Sequence, residues 1–229
     1  HGLKDNDEIT IDVAPNTLVN KSVEYDTIAR KTIVDPKYFR SSDVSVDDST
    51  IQLTDADGNT IEHGFKDGDK VLYKSGTSTV IPLTDRGEYY VKSITKTRFR
   101  LFDNRKDSIS IPNAFINITN VGSSSGAGGF HRISRINPPI QALRGETVGF
   151  AVSDTSLTDF NLEFYKDEKF TNRFDGVGIS TEIVKSGTSG SSGAIVKVKL
   201  TDNIQLPLWY KLVPTNLDTI DVTKRDSEP

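Results

Sequence analysis

Apolar and polar positions alternate with a period of two along most of this chain, and clusters of Gly, Ser, Thr, Asp and Asn break the alternation at intervals of roughly ten residues. Ile9, Ile11 and Val13 alternate with Thr10 and Asp12, and Pro15 ends that run because it has no N–H to give a ladder. Val44-Ser45-Val46 and Thr50 to Leu53 read as short strands, and Asp55 to Asn59 reads as a turn after them. Lys70 to Tyr73 reads as a strand after the Asp67-Gly68 turn. In Glu88 to Ile94, Tyr89 and Val91 point one way, and Tyr90, Lys92 and Ile94 the other. Thr97 to Phe102 is its hairpin partner across Thr95-Lys96. Phe115, Ile116 and Ile118 predict one more strand, and a Gly/Ser-rich loop over 121–129 leads into a closing strand at Phe130 to Ile133.

A second series begins after Asn137-Pro138-Pro139, where two prolines stiffen the chain and block strand continuation. Thr147 to Val152 and Phe160 to Phe164 alternate well. Ala194 to Leu200 predicts Val196, Val198 and Leu200 inward with Lys197 and Lys199 outward, and Leu206 to Val213 carries the sole Trp, Trp209, beside Tyr210. Helical periodicity is nearly absent. The predicted class is therefore all-β: tandem small β-domains with an extended N-terminal arm. The arm or connector covers 1–43 and holds a short strand or two. A small β-barrel or sandwich module covers 44–136, a β-sandwich of roughly seven strands covers 137–215, and 216–229 is a polar tail.

The 229 residues carry 28 Lys and Arg against 32 Asp and Glu, a formal net charge of -4. This balance argues against a general nucleic-acid binder, although Arg98, Arg100, Arg105 and Lys106 lie close together and offer either a solvated face or a phosphate site. There is no Cys, which excludes disulfides, thiolate nucleophiles and Cys-ligated metals. There is no Met either, which predicts that residue 1 is not the start of a primary translation product. No apolar run approaches the roughly 18 residues of a membrane span, and no signal-peptide pattern opens the sequence.

Candidate chemistry is sparse. His1, His63 and His131 form no close ligand pair. No nucleophile elbow, phosphate-binding loop or dinucleotide fingerprint occurs. Asp55-Ala56-Asp57-Gly58-Asn59 has oxygen ligands at alternate positions, as a Ca²⁺ loop does, but lacks the later bidentate Glu and reads better as a hairpin turn. The pentapeptide Lys-Ser-Gly-Thr-Ser occurs at 74–78 and 185–189 between dissimilar flanks, which suits convergent loop composition. No catalytic residue, metal ligand or cofactor is expected. The candidate partner or ligand contacts are aromatic: Tyr25, Tyr38 and Phe39 in the arm, and Tyr90 and Tyr210 as outward members of adjacent aromatic pairs.

Phe65, Gly68-Asp69, Val71, Tyr73, Leu83, Gly87, Tyr89-Tyr90-Val91, Phe99, Leu101 and the Gly-rich turn into His131 form a pattern. It resembles a repeat of tail-associated proteins of large tailed phages and of long bacterial surface proteins. The second module, with Pro138-Pro139-Ile140, Arg144-Gly145, Val148-Gly149-Phe150, Val152-Ser153-Asp154 and Phe164 to Phe170, is similar to a β-sandwich of virion proteins from contractile-tailed phages of the cyanobacterial type. It also has a loose cupredoxin-like look without the Cys and His ligands of a copper site.

The resemblance implies a virion structural protein of tail, baseplate, neck or fibre. Such a protein would be located in the virion, contact other virion proteins and further copies of itself, and have no enzymatic role. A second expectation is an adhesin module for a host-surface glycan. A third, a tail-associated glycan hydrolase, requires two carboxylates about 5–10 Å apart in a groove. Neither nucleic acid nor membrane insertion is expected.

Overall fold

The computed structural model describes residues 18–55, 57–111, 113–122, 130–176, 182–204 and 206–215. The predicted strand at 9–13, most of the Gly/Ser loop and the polar tail lie outside these residues. The protein is all-β, with one six-residue helix, α1 (Arg105–Ser110), capped by the Asn104 side chain, which accepts from the Asp107 N–H. In chain order the strands are β1 (Leu18–Asp26), β2 (Lys31–Phe39), β3 (Val44–Ser45), β4 (Thr50–Gln52), β5 (Lys70–Lys74), β6 (Val80–Ile81), β7 (Glu88–Ser93) and β8 (Arg98–Phe102). They continue with β9 (Asn120–Val121), β10 (His131–Ile136), β11 (Thr147–Ala151), β12 (Phe160–Tyr165), β13 (Arg173–Phe174), β14 (Ile183–Ser186), β15 (Ile195–Lys199) and β16 (Trp209–Pro214).

One continuous sheet runs β14-β15-β11-β1-β2-β10-β5-β7-β8-β4-β3, and a second runs β13-β12-β16. The large sheet is open, so the first module does not close into a barrel. Two hydrophobic cores lie along it. The first gathers Phe39, Val71, Tyr73, Tyr89, Val91, Phe99, Leu101 and Ile133 with their neighbours. The second is the interior of a sandwich, in which β14, β15, β11 and β1 face β13, β12 and β16. Phe150, Phe164, Val196, Val198, Leu200 and Leu212 fill it. Val196, Val198 and Leu200 point inward as the alternation of Ala194 to Leu200 predicts. The hairpin of β7 and β8 also forms as predicted, pairing Tyr90 with Phe102 and Ser93 with Phe99.

The segment expected as an arm differs in its described part. Residues 18–39 hold two nine-residue strands in the middle of the large sheet. β1 changes partners halfway: Leu18–Ser22 runs parallel to Thr147–Ala151 of β11, and Val23–Asp26 runs antiparallel to Lys31–Val34 of β2. One residue before the ladder with β2 begins, the Ser22 N–H donates to Asp35 Oδ1 at 3.0 Å, and Lys21 Nζ pairs with Asp35 Oδ2 at 2.7 Å. Asp35 is left-handed (φ 50°) and precedes Pro36, where the β2–β10 register shifts. A proline fits inside a sheet at such a bulge because its missing N–H is not needed there. Val23 is fully buried in the second core, which contributes roughly 1.5–3 kcal/mol by the usual value for a buried aliphatic side chain.

A second difference concerns Phe115 to Ile118, expected as a strand. Its backbone joins no ladder: Ile116 N–H donates to the Leu101 carbonyl and Ile118 N–H to Ser49 Oγ. Ile116 and Ile118 nonetheless enter the first core, so the apolar pattern records burial without strand pairing.

Because β1 belongs to both halves of the sheet, the two cores are expected to melt together. Calorimetry should show a single transition with equal calorimetric and van't Hoff enthalpies. Two resolved transitions would mean that β1 does not couple them.

Candidate functional site

Three arrangements concentrate chemistry or exposed apolar surface: a rigid hairpin tip, a groove beside the sandwich, and a buried histidine cluster.

The tip is the four-residue turn between β1 and β2, closed by the pair Asp26 and Lys31. Asp26 is almost fully buried, and its Oδ1 accepts the N–H groups of Ile28 (3.1 Å) and Ala29 (2.8 Å) and the Nε–H of Arg86 (3.2 Å). Burial alone would raise the Asp26 pKa. The N–H donors and the Arg86 charge outweigh burial and hold the carboxyl below its ordinary range. Arg30 supplies the left-handed residue that ends the turn (φ 55°). The result is an Ile28 side chain held out at 71% exposure on a backbone tied down from inside. The flanks are tied as well. Lys31 Nζ meets Glu88 at 3.1 Å, and Arg132 pairs with Glu24. Burial raises the Glu24 pKa, with the Asp154 charge adding to it and Arg132 opposing it.

The groove has a volume of about 950 Å³ and lies at the end of the sandwich where β1 and β11 begin. Val19 of β1 and Trp209 and Tyr210 of β16 stand on its walls, with Phe150 and Phe164 among the aromatic rings that line it and Leu143 among its aliphatic residues. Leu143 is 68% exposed. Two of its polar groups are engaged by the protein itself: Glu146 Oε2 accepts the Leu143 N–H at 2.6 Å, and Tyr210 donates its hydroxyl to the Pro138 carbonyl at 2.8 Å. Burial raises the Tyr210 pKa, with the Asp35 charge adding to it.

The histidine cluster sits in the first core. His131 is fully buried and stacks on Phe39 with 5.1 Å between ring centroids. Its Nδ1 accepts the Gly76 N–H at 3.2 Å and the Tyr73 hydroxyl at 2.9 Å. Nδ1 is therefore the lone-pair nitrogen, and Nε2–H donates to Ser78 Oγ at 3.0 Å, with Ser41 Oγ at 3.3 Å. A proton on Nδ1 would face the Gly76 N–H, donor against donor. Burial accordingly holds the His131 pKa below its ordinary value.

The aromatic contacts expected from the sequence are dispersed. Phe39 is fully buried, so it contacts the first core and not a partner, because it occupies the inward side of β2. Tyr25 docks within the chain: its ring lies 4.5 Å from Phe160, and its N–H donates to Ser156 Oγ. Tyr210 is not an outward residue, since its ring packs 5.8 Å from Phe150. Tyr90 is half-buried on the face opposite Tyr89, and Tyr38 is 47% exposed. Ile28 is indistinguishable by sequence from other scattered apolar residues. The signal that singles it out is the carboxylate two residues earlier, which needs the fold to be read.

The basic cluster is partly spent on the fold. Arg98 pairs with Asp48 at 3.2 Å, while Arg100 donates to the Asp48 carbonyl and lies over the Phe115 ring at 4.1 Å. At Asp55 the carboxylate accepts the N–H groups of Asp57 and Asn59 and the Asn59 amide, the bonding of a turn. Among the described residues no group of three or more His, Cys, Asp or Glu could hold a metal ion, and no helix is long and apolar enough to cross a membrane. The two Lys-Ser-Gly-Thr-Ser copies differ at their last residue: Ser78 is buried in the histidine cluster, while its counterpart Ser189 is half-buried.

The His131 pKa is lower in the folded protein than in the unfolded chain. Its stabilising contribution is thus complete above the unfolded value of 6.5 and is lost as pH falls toward the folded value. The melting temperature should drop as pH falls through about 6.5, against a smaller opposite contribution from the raised Glu24 carboxyl, and His131→Gln should flatten that slope. An unchanged slope in the variant would assign the effect elsewhere.

Comparison with family models, with curated proteins and with solved structures finds no match to this chain.

Proposed function

We propose that this chain is a structural component of a phage virion, in tail, baseplate, neck or fibre, and that it works by contact with neighbouring subunits. The observation that carries this reading is Ile28, a large apolar side chain held in solvent by a turn that the buried Asp26 carboxylate fastens. A single exposed isoleucine is ordinary on any surface. One on a backbone locked by a desolvated charge is a prepared contact, since ordering it on binding no longer costs the usual ~0.5–1.5 kcal/mol or more of side-chain and loop freedom. The phage setting comes from the pattern Phe65 to His131 and from the second module, which resemble virion β-modules.

The glycan-binding reading has less support. Sugar recognition needs polar groups free to bond hydroxyls beside an aromatic face. In the groove, Tyr210 and Glu146 already bond the protein backbone.

The test is made on particles of the phage that encodes the chain. Mass spectrometry of density-purified particles should find it in fixed ratio to other tail proteins. Ile28→Asp, at an exposed position, should leave the isolated chain folded and remove it from the particles. A chain present in lysate but absent from purified particles would overturn the proposal, as would full incorporation of the Asp variant.

A further inference from the structure

The groove beside the sandwich is deep as well as apolar. Val148, Phe150 and Val198 reach it from one layer and Phe164 from the other, and all four are buried side chains of the second core. It therefore opens between the inner faces of the two sheets. Pro138, Pro139 and Pro207 stiffen its wall. Its volume of about 950 Å³ stands at the upper end of the roughly 300–1,000 Å³ of small-molecule sites. A cleft that runs in to core side chains admits a slender apolar molecule, whereas a flat protein surface would meet only its rim.

A smaller recess of about 190 Å³ adjoins the groove and shares Val19, Pro138, Pro139, Ile140 and Gln141 with its lining. Three cations line this recess, and two of them face carboxylates: Lys21 Nζ meets Asp35 at 2.7 Å, and Arg135 Nε meets Asp69 at 3.2 Å. Lys66 differs. Among the described residues its Nζ partner is the neutral Gln141 Oε1, at 2.9 Å. Gln141 lines the groove, so an ammonium charge is held one hydrogen bond away from a groove residue. Glu146, also on the groove wall, disfavours an anion beside it.

We propose that the groove binds a free long-chain carboxylate, with its hydrocarbon chain between the two layers and its head at Gln141 and Lys66. The chain is removed from water against Phe150, Phe164 and Val198. The head meets the Lys66 charge and accepts from the Gln141 amide nitrogen, whose oxygen is already bonded to Lys66. One cation without a carboxylate partner suits a head of one negative charge. A sugar lacks the apolar body, and an alkylammonium would set its charge against Lys66.

Calorimetric titration of the full chain, followed in parallel by emission of its single Trp, Trp209, tests this with dodecanoate, dodecanol and dodecyltrimethylammonium below their micelle concentrations. Dodecanoate should bind saturably and move the Trp209 emission to the blue. Dodecanol should bind more weakly, and dodecyltrimethylammonium most weakly. Lys66→Gln should weaken dodecanoate about two- to fivefold, the weight of an exposed ion pair, and leave dodecanol unchanged. Leu143→Asp, at a position in solvent, should weaken both. No binding of dodecanoate, equal affinity for the three probes, or unaltered Trp209 emission at saturation would overturn the proposal. So would variants that bind as the parent chain does. Phosphatidylglycerol vesicles that shift Trp209 where dodecanoate does not would assign the groove to a membrane surface and overturn it too. Neither result bears on whether the chain is found in virions, so the two proposals stand or fall separately.

Discussion

The hand-over of β1 from β11 to β2 is the constraint on which the rest of the structure depends. Without it the molecule would be two modules joined by a Pro-rich connector. With it, one ladder of backbone hydrogen bonds crosses both cores, and the change from parallel to antiparallel pairing happens within a single strand. Such a switch leaves backbone groups between two ladders, and an orphaned buried N–H is costly. Asp35 resolves this locally. Its left-handed backbone makes the bulge that lets β2 keep pairing with β10, and its carboxylate takes up the Ser22 N–H and the Lys21 charge. The β1–β2 turn comes only four residues after the switch, so the hairpin tip takes its position from the same device.

Strands whose alternation sets apolar against polar residues were legible even where their partners are far in sequence, as β12 and β16 are, and those whose alternation is written in charges were not. The β7–β8 hairpin and the inward face of β15 follow from period-two alternation alone. β1 and β2 did not read as central strands because their alternation is written in charges. Glu24, Asp26 and Lys31 occupy positions that pair with Arg132, Arg86 and Glu88, so polar letters stand where burial is substantial. The parallel match of Leu18 with Thr147 links residues far apart, and no local pattern encodes it. Phe115 to Ile118 shows the converse: a run of apolar residues can report burial while its N–H groups go to a backbone carbonyl and a serine hydroxyl.

The site was less legible than the fold, for a related reason. Aromatic residues are the natural guess for contacts, yet most of those in the N-terminal strands and β16 are consumed by the chain's own packing, Phe39 most completely. What separates Ile28 from other exposed aliphatics is the state of a neighbouring carboxylate, a property of three dimensions. Likewise, His131 comes after a glycine-rich loop and looks like a surface residue in sequence. Its four hydrogen-bond partners come from two separate segments, at 41 and at 73–78, and each satisfies a group that would otherwise cost ~1–3 kcal/mol to bury.

Ile28 and the groove are two among several apolar exposures of this molecule, and they differ in kind. Ile28 is solitary, projects from a turn, and gains nothing from rearrangement of the chain that carries it. A surface of that form suits a separate molecule that brings its own pocket. The groove is contiguous and concave and lies at the end of the sandwich where β1 and β11 begin, so whatever fills it must supply apolar surface. Strand edges in this molecule also differ in how they are defended. β14 sets Lys185 in solvent on its outer edge strand, the usual guard against unwanted pairing. On β16, Lys211 is exposed but stands over the Phe170 ring, and Trp209 lines the groove. On β14 the lysine stands out from the edge strand, and on β16 it is held over an aromatic ring.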